Sequence, residues 1–133
     1  MIAAMIHKYV LAEIRDEPEV VLWGTGEPSR EFLYVEDAAR ALVLAAEHAD
    51  SSEPFNVGTG IETKIRDLAG MVGDAVGYEG ETVWDTSRPD GQPVRYLDVS
   101  RARERIGFEA RVPLAEGLRR TVESFRSSVP QSA

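Results

Sequence analysis

The chain has 133 residues, 43% of them apolar, and 23 acids outweigh 15 bases to give a net charge of −8. That length suits one compact domain spanning residues 1–133, and the acidity excludes a fold-wide nucleic-acid-binding surface, so an anionic ligand needs a local basic cluster. The lack of cysteine excludes disulfides, thiolate metal sites and a cysteine nucleophile and fits a cytoplasmic protein; no apolar run approaches the ~18 residues of a membrane span.

Ile2, Met5, Ile6, Tyr9, Val10 and Ile14 recur at three- and four-residue steps and predict a helix over 2–14, ended by Asp16-Glu17-Pro18. The opening residues carry no signal-peptide pattern. Val20-Val21-Leu22-Trp23 reads as a buried strand, and Gly24 to Ser29 as a loop by its glycine and proline content. Glu31 to Tyr34 reads as extended, and a helix begins at Asp37 or a near neighbour and runs to about His48. Phe55-Asn56-Val57 is a short strand before Gly58-Thr59-Gly60. Ile65, Leu68, Ala69, Val72 and Val76 mark a helix, with Thr63 as N-cap and Gly77 just past its end. Thr82-Val83-Trp84 is a strand, Thr86 to Pro93 a loop, and Ser100 to Ile106 a short helix stopped by Gly107. Pro113 opens a last helix whose Leu114, Leu118, Val122 and Phe125 share a face, and the tail from about residue 127 is expected to be disordered. This is an α/β fold, helix-rich with few short strands, and too short for a complete doubly wound sheet.

Gly58-Thr59-Gly60-Ile61-Glu62-Thr63 follows a strand and opens a helix, but the third glycine of a dinucleotide fingerprint is replaced by Thr63. It reads as a tight strand-to-helix turn. His7 and His48 are the only histidines and share no ligand spacing, so no metal site is expected. Two other stretches are richer. Trp23-Gly-Thr-Gly-Glu-Pro-Ser-Arg30 delivers one arginine at the end of a flexible turn; a solvated loop arginine and an anion ligand are equally good readings of it. Asp85-Thr-Ser-Arg88-Pro-Asp-Gly-Gln-Pro-Val-Arg95 puts two arginines near stiffening prolines. Arginines on separate loops can clamp a diphosphate from two sides; the alternative is surface charge.

Taken together, the blocks VVLWGTGEPSREFLYVEDAARA, EPFNVGTGIETKIRDLA and WDTSRPDGQPVRYLDVSRARERIGFEARVPLAEGLRRT resemble the carboxy-terminal half of the NAD-dependent epimerase/dehydratase family. That family belongs to the extended short-chain dehydrogenase/reductases, and the blocks are nearest its GDP-fucose-synthase branch. The resemblance implies the sugar-nucleotide-binding domain of a two-part enzyme. In the family, an amino-terminal Rossmann domain binds NADP and carries Ser, Tyr and Lys, and the reaction converts GDP-4-keto-6-deoxymannose to GDP-fucose. By the same resemblance Met5 and Lys8 fall beside the nucleotide, Lys8 where an arginine is common. Trp23 falls where the family lines the nucleotide pocket, Arg30 on its diphosphate-binding arginine, and Arg88 on a basic position facing the nucleotide.

The family's redox chemistry needs Tyr-x-x-x-Lys. Four residues after Tyr9, Tyr34, Tyr78 and Tyr96 stand Glu13, Ala38, Thr82 and Ser100, so the pair is absent from this sequence. The resemblance thus implies a substrate-recognition domain, inactive alone, with no catalytic residue and no cofactor of its own. Its partners would be a sugar nucleotide and either the missing Rossmann domain or a second copy, with no nucleic acid and no membrane. The face Ile2, Met5, Ile6 and Tyr9 is expected to be exposed and to drive that association. A stand-alone non-catalytic binding module and a substrate domain for UDP- or dTDP-sugars are the alternatives.

Overall fold

The computed structural model describes residues 1–128. Helix α1 (Ile2–Ile14) buries Met5, Ile6, Tyr9, Val10 and Ala12, which its 3.6-residue period brings to one side. Asp16, at a φ of 55°, turns the chain into strand β1 (Glu19–Trp23). Along β1 the odd positions face out and Val20 and Leu22 face in. The strand is therefore half-buried rather than buried throughout, and its period of two leaves Trp23 67% exposed.

Strand β1 pairs in parallel with β4 (Glu81–Asp85), so Trp23 lies opposite Asp85. Helix α3 (Ile65–Val76) packs on α1 and on α5 (Leu114–Ser128), and α1 packs in turn on β1. Tyr9, Leu68, Val72 and Leu118 lie in this core, where each large apolar side chain contributes about 1.5–3 kcal/mol. The Tyr9 hydroxyl is bonded to Thr82 Oγ1 at 2.7 Å, and burial raises its pKa, which makes it a structural tie between α1 and β4.

A second sheet has the order β3–β2–β5. Its centre, β2 (Ser29–Arg30), runs antiparallel to β3 (Thr63–Lys64) and parallel to β5 (Val94–Arg95). Helices α2 (Val35–His48) and α4 (Ser100–Ile106) close a smaller core around Ala41, Ala102, Ile106 and Phe108. Asp37 ties this half together. Its buried carboxylate accepts the Arg111 and Val112 N–H groups, both at 2.8 Å, and Arg40 Nη2 at 2.9 Å. Burial pushes its pKa up, but those donors outweigh burial and hold it below the ordinary carboxylate range.

Several expectations change. The α1 face is not an exposed patch: Met5 is 6% exposed and Tyr9 fully buried, because α3 and α5 cover them. The exposed apolar stripe is on α2 instead, where Val35, Ala39, Leu42, Val43 and Ala46 face out. Phe55–Val57 and Glu31–Tyr34 join no ladder, and the N-cap of α3 is Lys64 rather than Thr63, because the helix starts at Ile65. Gly77 ends α3 in the left-handed region at φ 78°, as its position suggested. At the tail, α5 continues through Ser128, with the Ser127 and Ser128 hydroxyls donating to the Ser124 carbonyl at 2.8 Å; the rest of the tail lies outside the described residues. Among the described residues no helix is long and apolar enough to cross a membrane, and no cluster of His, Cys, Asp or Glu is arranged to hold a metal. His7 packs edge-on against Phe125, ring centroids 5.9 Å apart.

Candidate functional site

The site is built where two loops run side by side. The first joins β1 to β2, and the second joins β4 to β5. Gly24 and Gly26 turn the first loop with φ of 84° and 74°. A side chain at Gly26 would stand 2.8 Å from the Trp84 ring and 2.9 Å from Arg66 Cβ, so the turn needs glycine for space as well as for φ.

The loops are joined at successive positions. The Arg88 guanidinium lies over the Trp23 ring, 5.0 Å from its centroid. Asp90 accepts the Thr25 hydroxyl at 2.7 Å and the Thr25 N–H at 2.8 Å; these two bonds hold its carboxyl below the usual range. Arg30 Nη1 donates to the Gln92 carbonyl at 2.6 Å, and the Ser29 N–H to the Pro93 carbonyl at 2.8 Å. Between them sits Gly91, where an added Cβ would come within 3.3 Å of Arg30 Nη2. The Pro-Asp-Gly sequence thus has a local reason: Asp90 clasps the facing loop, and Gly91 leaves room for a guanidinium.

Lys8 reaches the same place from α1. Its Nζ donates to the Val21 carbonyl at 2.8 Å and lies 6.0 Å from the Trp23 centroid. An exposed indole between two cations offers a flat apolar face beside positive charge. Lys8, Trp23 and Arg88 are therefore brought together, with Arg30 at the far end of the same loop. Met5 is not: it is buried in the core.

Beyond Arg30 a cleft of about 330 Å³ opens, lined by Arg30, Glu31, Phe32, Val57, Arg95 and Leu97 among others. Its single carboxylate is occupied. Glu31 accepts the N–H groups of Thr59 and of Gly60 (2.9 Å) through Oε1 and that of Leu97 (2.7 Å) through Oε2. The Gly58–Gly60 turn therefore donates its amides to the protein's own carboxylate. A dinucleotide's pyrophosphate would need those amides, so the residues present do not fit the cofactor at this turn. No sequence pattern singled out Glu31, because its partners come from two distant segments. Arg95 was visible as a loop arginine, but its place beside Arg30 depends on a two-residue ladder.

Comparison with known proteins agrees with this architecture. Residues 1–58 match the family model described as the NAD dependent epimerase/dehydratase family. The chain is 41% identical over 129 residues to the rice (Oryza sativa subsp. japonica) protein named Probable GDP-L-fucose synthase 1, covering 97% of this chain and 39% of that protein. A solved structure of a GDP-L-fucose synthetase from Naegleria fowleri superposes with a TM-score of 0.89 at 28% identity, covering 96% of this chain and 39% of the other. The UDP-glucose 4-epimerase of Thermotoga maritima, solved with UDP-glucose, gives 0.80 at 36% identity over 94% of this chain and 40% of that one. The chain spans about two fifths of the length of the curated relatives it matches. The sequence identity across almost all of these 133 residues and the shared fold lead to one statement: the chain is similar to sugar-nucleotide epimerases and reductases, with its first 58 residues matching the NAD dependent epimerase/dehydratase family.

Proposed function

We propose that this chain is the sugar-nucleotide recognition part of an NADP-dependent sugar-nucleotide epimerase/reductase of the GDP-fucose-synthase type, and that it is inactive on its own. The observation that carries the reading is the zipped loop pair, with Trp23 flanked by Arg88 and Lys8 at one end and Arg30 at the other. A stacked base at Trp23 and a diphosphate toward Arg30 is the order of groups that a nucleotide sugar presents. The lack of a Tyr-x-x-x-Lys in these 133 residues and the Glu31-filled turn support the inactivity.

The stripe on α2 and the unpaired Phe55–Val57 segment support a docking role beside the binding role. An apolar helix face of this kind is normally covered, and the relatives are more than twice as long as this chain. We assign the face to the cofactor-binding part of the parent enzyme rather than to a second copy of this chain.

The identity of the base is a separate question. The UDP-glucose-bound relative favours a UDP-sugar as the second reading. Calorimetric titration of the chain with GDP-, UDP- and dTDP-sugars tests both: saturable binding with GDP-sugar preferred supports the first, and UDP-sugar preference the second. Binding of none contradicts the function. NADPH-dependent turnover of a 4-keto sugar nucleotide by this polypeptide alone contradicts the inactivity.

A further inference from the structure

Every residue of the loop from Thr86 to Pro93 is exposed, so no core contact holds it in one shape. Its polar ties must do so, because a free loop loses conformational entropy when a ligand orders it. Most of those ties lie at its two ends. Ser87 donates its N–H and its hydroxyl to Asp85 Oδ1 at 3.1 and 2.5 Å, and the Gln92 and Pro93 carbonyls accept from Arg30 and Ser29. Asp90 stands in the middle. Among the described residues it is the one member of this loop whose side chain hydrogen-bonds to the facing loop, through its two bonds with Thr25.

Thr25 is itself anchored. Its hydroxyl accepts the Glu27 N–H at 3.2 Å, and its carbonyl accepts Arg66 Nη2 at 2.9 Å. Arg66 lies in the first turn of α3, a helix of the main core, so Asp90 and Thr25 link an exposed loop to that core. Gly24 leaves the space for this link, since a side chain there would collide with Asp90 Oδ1. Trp23 and Arg88 lie two residues before Thr25 and Asp90, and the Arg88–Trp23 contact therefore runs alongside the clasp. That contact is open to water, where a cation over an indole is weakly held. It does not fix the loop by itself.

We propose that Asp90 and Thr25 are positioning residues whose clasp holds the Thr86–Pro93 loop in its binding shape before a ligand arrives. The clasp keeps Arg88 at Trp23 and sets nucleotide affinity without touching the nucleotide. The proposal rests on the nucleotide-binding reading above and extends it from residues that face the ligand to the pair that fixes one of them. A loop ordered in advance loses less freedom on binding, and the gain in affinity is made through Arg88.

The test is calorimetric titration of the full chain with GDP and with UDP, following whichever binds more tightly. The variants are Asp90→Ala, Thr25→Val, Thr25→Ser and the Asp90→Ala/Thr25→Val pair, with Asp90→Ala repeated on an Arg88→Ala background. Asp90→Ala should weaken binding roughly ten-fold and Thr25→Val by part of that, while Thr25→Ser, which keeps the hydroxyl, should restore the parent affinity. The double variant should be no weaker than Asp90→Ala alone, because both changes break one clasp. On the Arg88→Ala background the effect of Asp90→Ala should shrink to about two-fold or less. In the absence of ligand, amide exchange in Asp90→Ala should quicken over residues 86–92 only, with the thermal midpoint close to that of the parent. Parent affinity in Asp90→Ala overturns the proposal, as does a loss of the same size with and without Arg88. A lowered midpoint with faster exchange throughout the chain also overturns it, by marking the clasp as a support of the whole fold. If the unsubstituted chain binds neither nucleotide, the nucleotide-binding reading itself fails and this proposal falls with it.

Discussion

The arginines of the helical end and those of the loop end are treated differently by the same fold. Around α2 and α5, Arg40 meets Asp37, Arg119 meets Glu116 and Glu123, and Arg120 meets Glu116 and Glu36. Glu116, bonded first by Arg119 and then by Arg120, has its pKa lowered to about 2. At the loop end Arg30 and Arg95 face a cleft with no free carboxylate. Positive charge matched within the chain serves the structure. In the proposed site, charge left unmatched at Arg30 is available to an anionic ligand from outside.

That contrast makes substitutions at the two ends separable by stability and by binding. The largest effect is expected at Asp37. Asp37→Ala removes the acceptor of two backbone N–H groups and leaves Arg40 without its carboxylate. Unsatisfied buried donors cost about 1–3 kcal/mol each, so urea denaturation should show a loss of about 2–4 kcal/mol, with any remaining folded protein binding nucleotide as before. The pH dependence has a definite sign. The Asp37 pKa is lowered in the fold, so its contribution is complete above the ordinary carboxylate range and is lost as pH falls through the lowered value. Acid titration of stability should therefore steepen below the ordinary range in the parent chain and flatten in Asp37→Asn.

At the loop end the effect moves to binding. Arg30→Ala should weaken GDP-sugar affinity roughly ten- to a hundred-fold. It should lower stability by only about 1 kcal/mol, the scale of its bonds to the Ser29 and Gln92 carbonyls. Calorimetry and thermal melts on one sample separate the two. Trp23→Ala should cost about 1–3 kcal/mol of nucleotide binding if a base stacks there and leave the melting curve in place, because the indole is 67% exposed. Equal affinity in this variant would remove Trp23 from the site. The smallest effect belongs to Arg119→Ala on α5, whose ion pairs are open to water and should register in neither assay.

Much of this division was legible in the sequence. The 3.6-residue period of α1, α3 and α5 and the glycines after α3 and α4 placed those helices almost to the residue. Trp23, Arg30 and Arg88 were legible as a group only through the family resemblance, since a loop arginine carries no periodic signal. The small sheet was not legible, because two-residue strands have no pattern to detect. Nor was Glu31, whose partners lie 28 and 66 residues away. The exposure of the α1 face was misjudged for a related reason. Which apolar face is left open depends on which helices pack on which, and here α3 and α5 claim α1 while α2 keeps a bare side.

The central claim is that the zipped loop pair, with Trp23 at one end and Arg30 at the other, forms the proposed nucleotide site. It is tested most directly by titrating GDP into the parent chain and into the Trp23→Ala/Arg30→Ala double variant, each at low and at high salt. The account predicts saturable binding to the parent that weakens as salt rises, and binding in the double variant reduced by well over the single-variant loss with a weaker salt dependence. Equal affinity and equal salt dependence in the two proteins would contradict it.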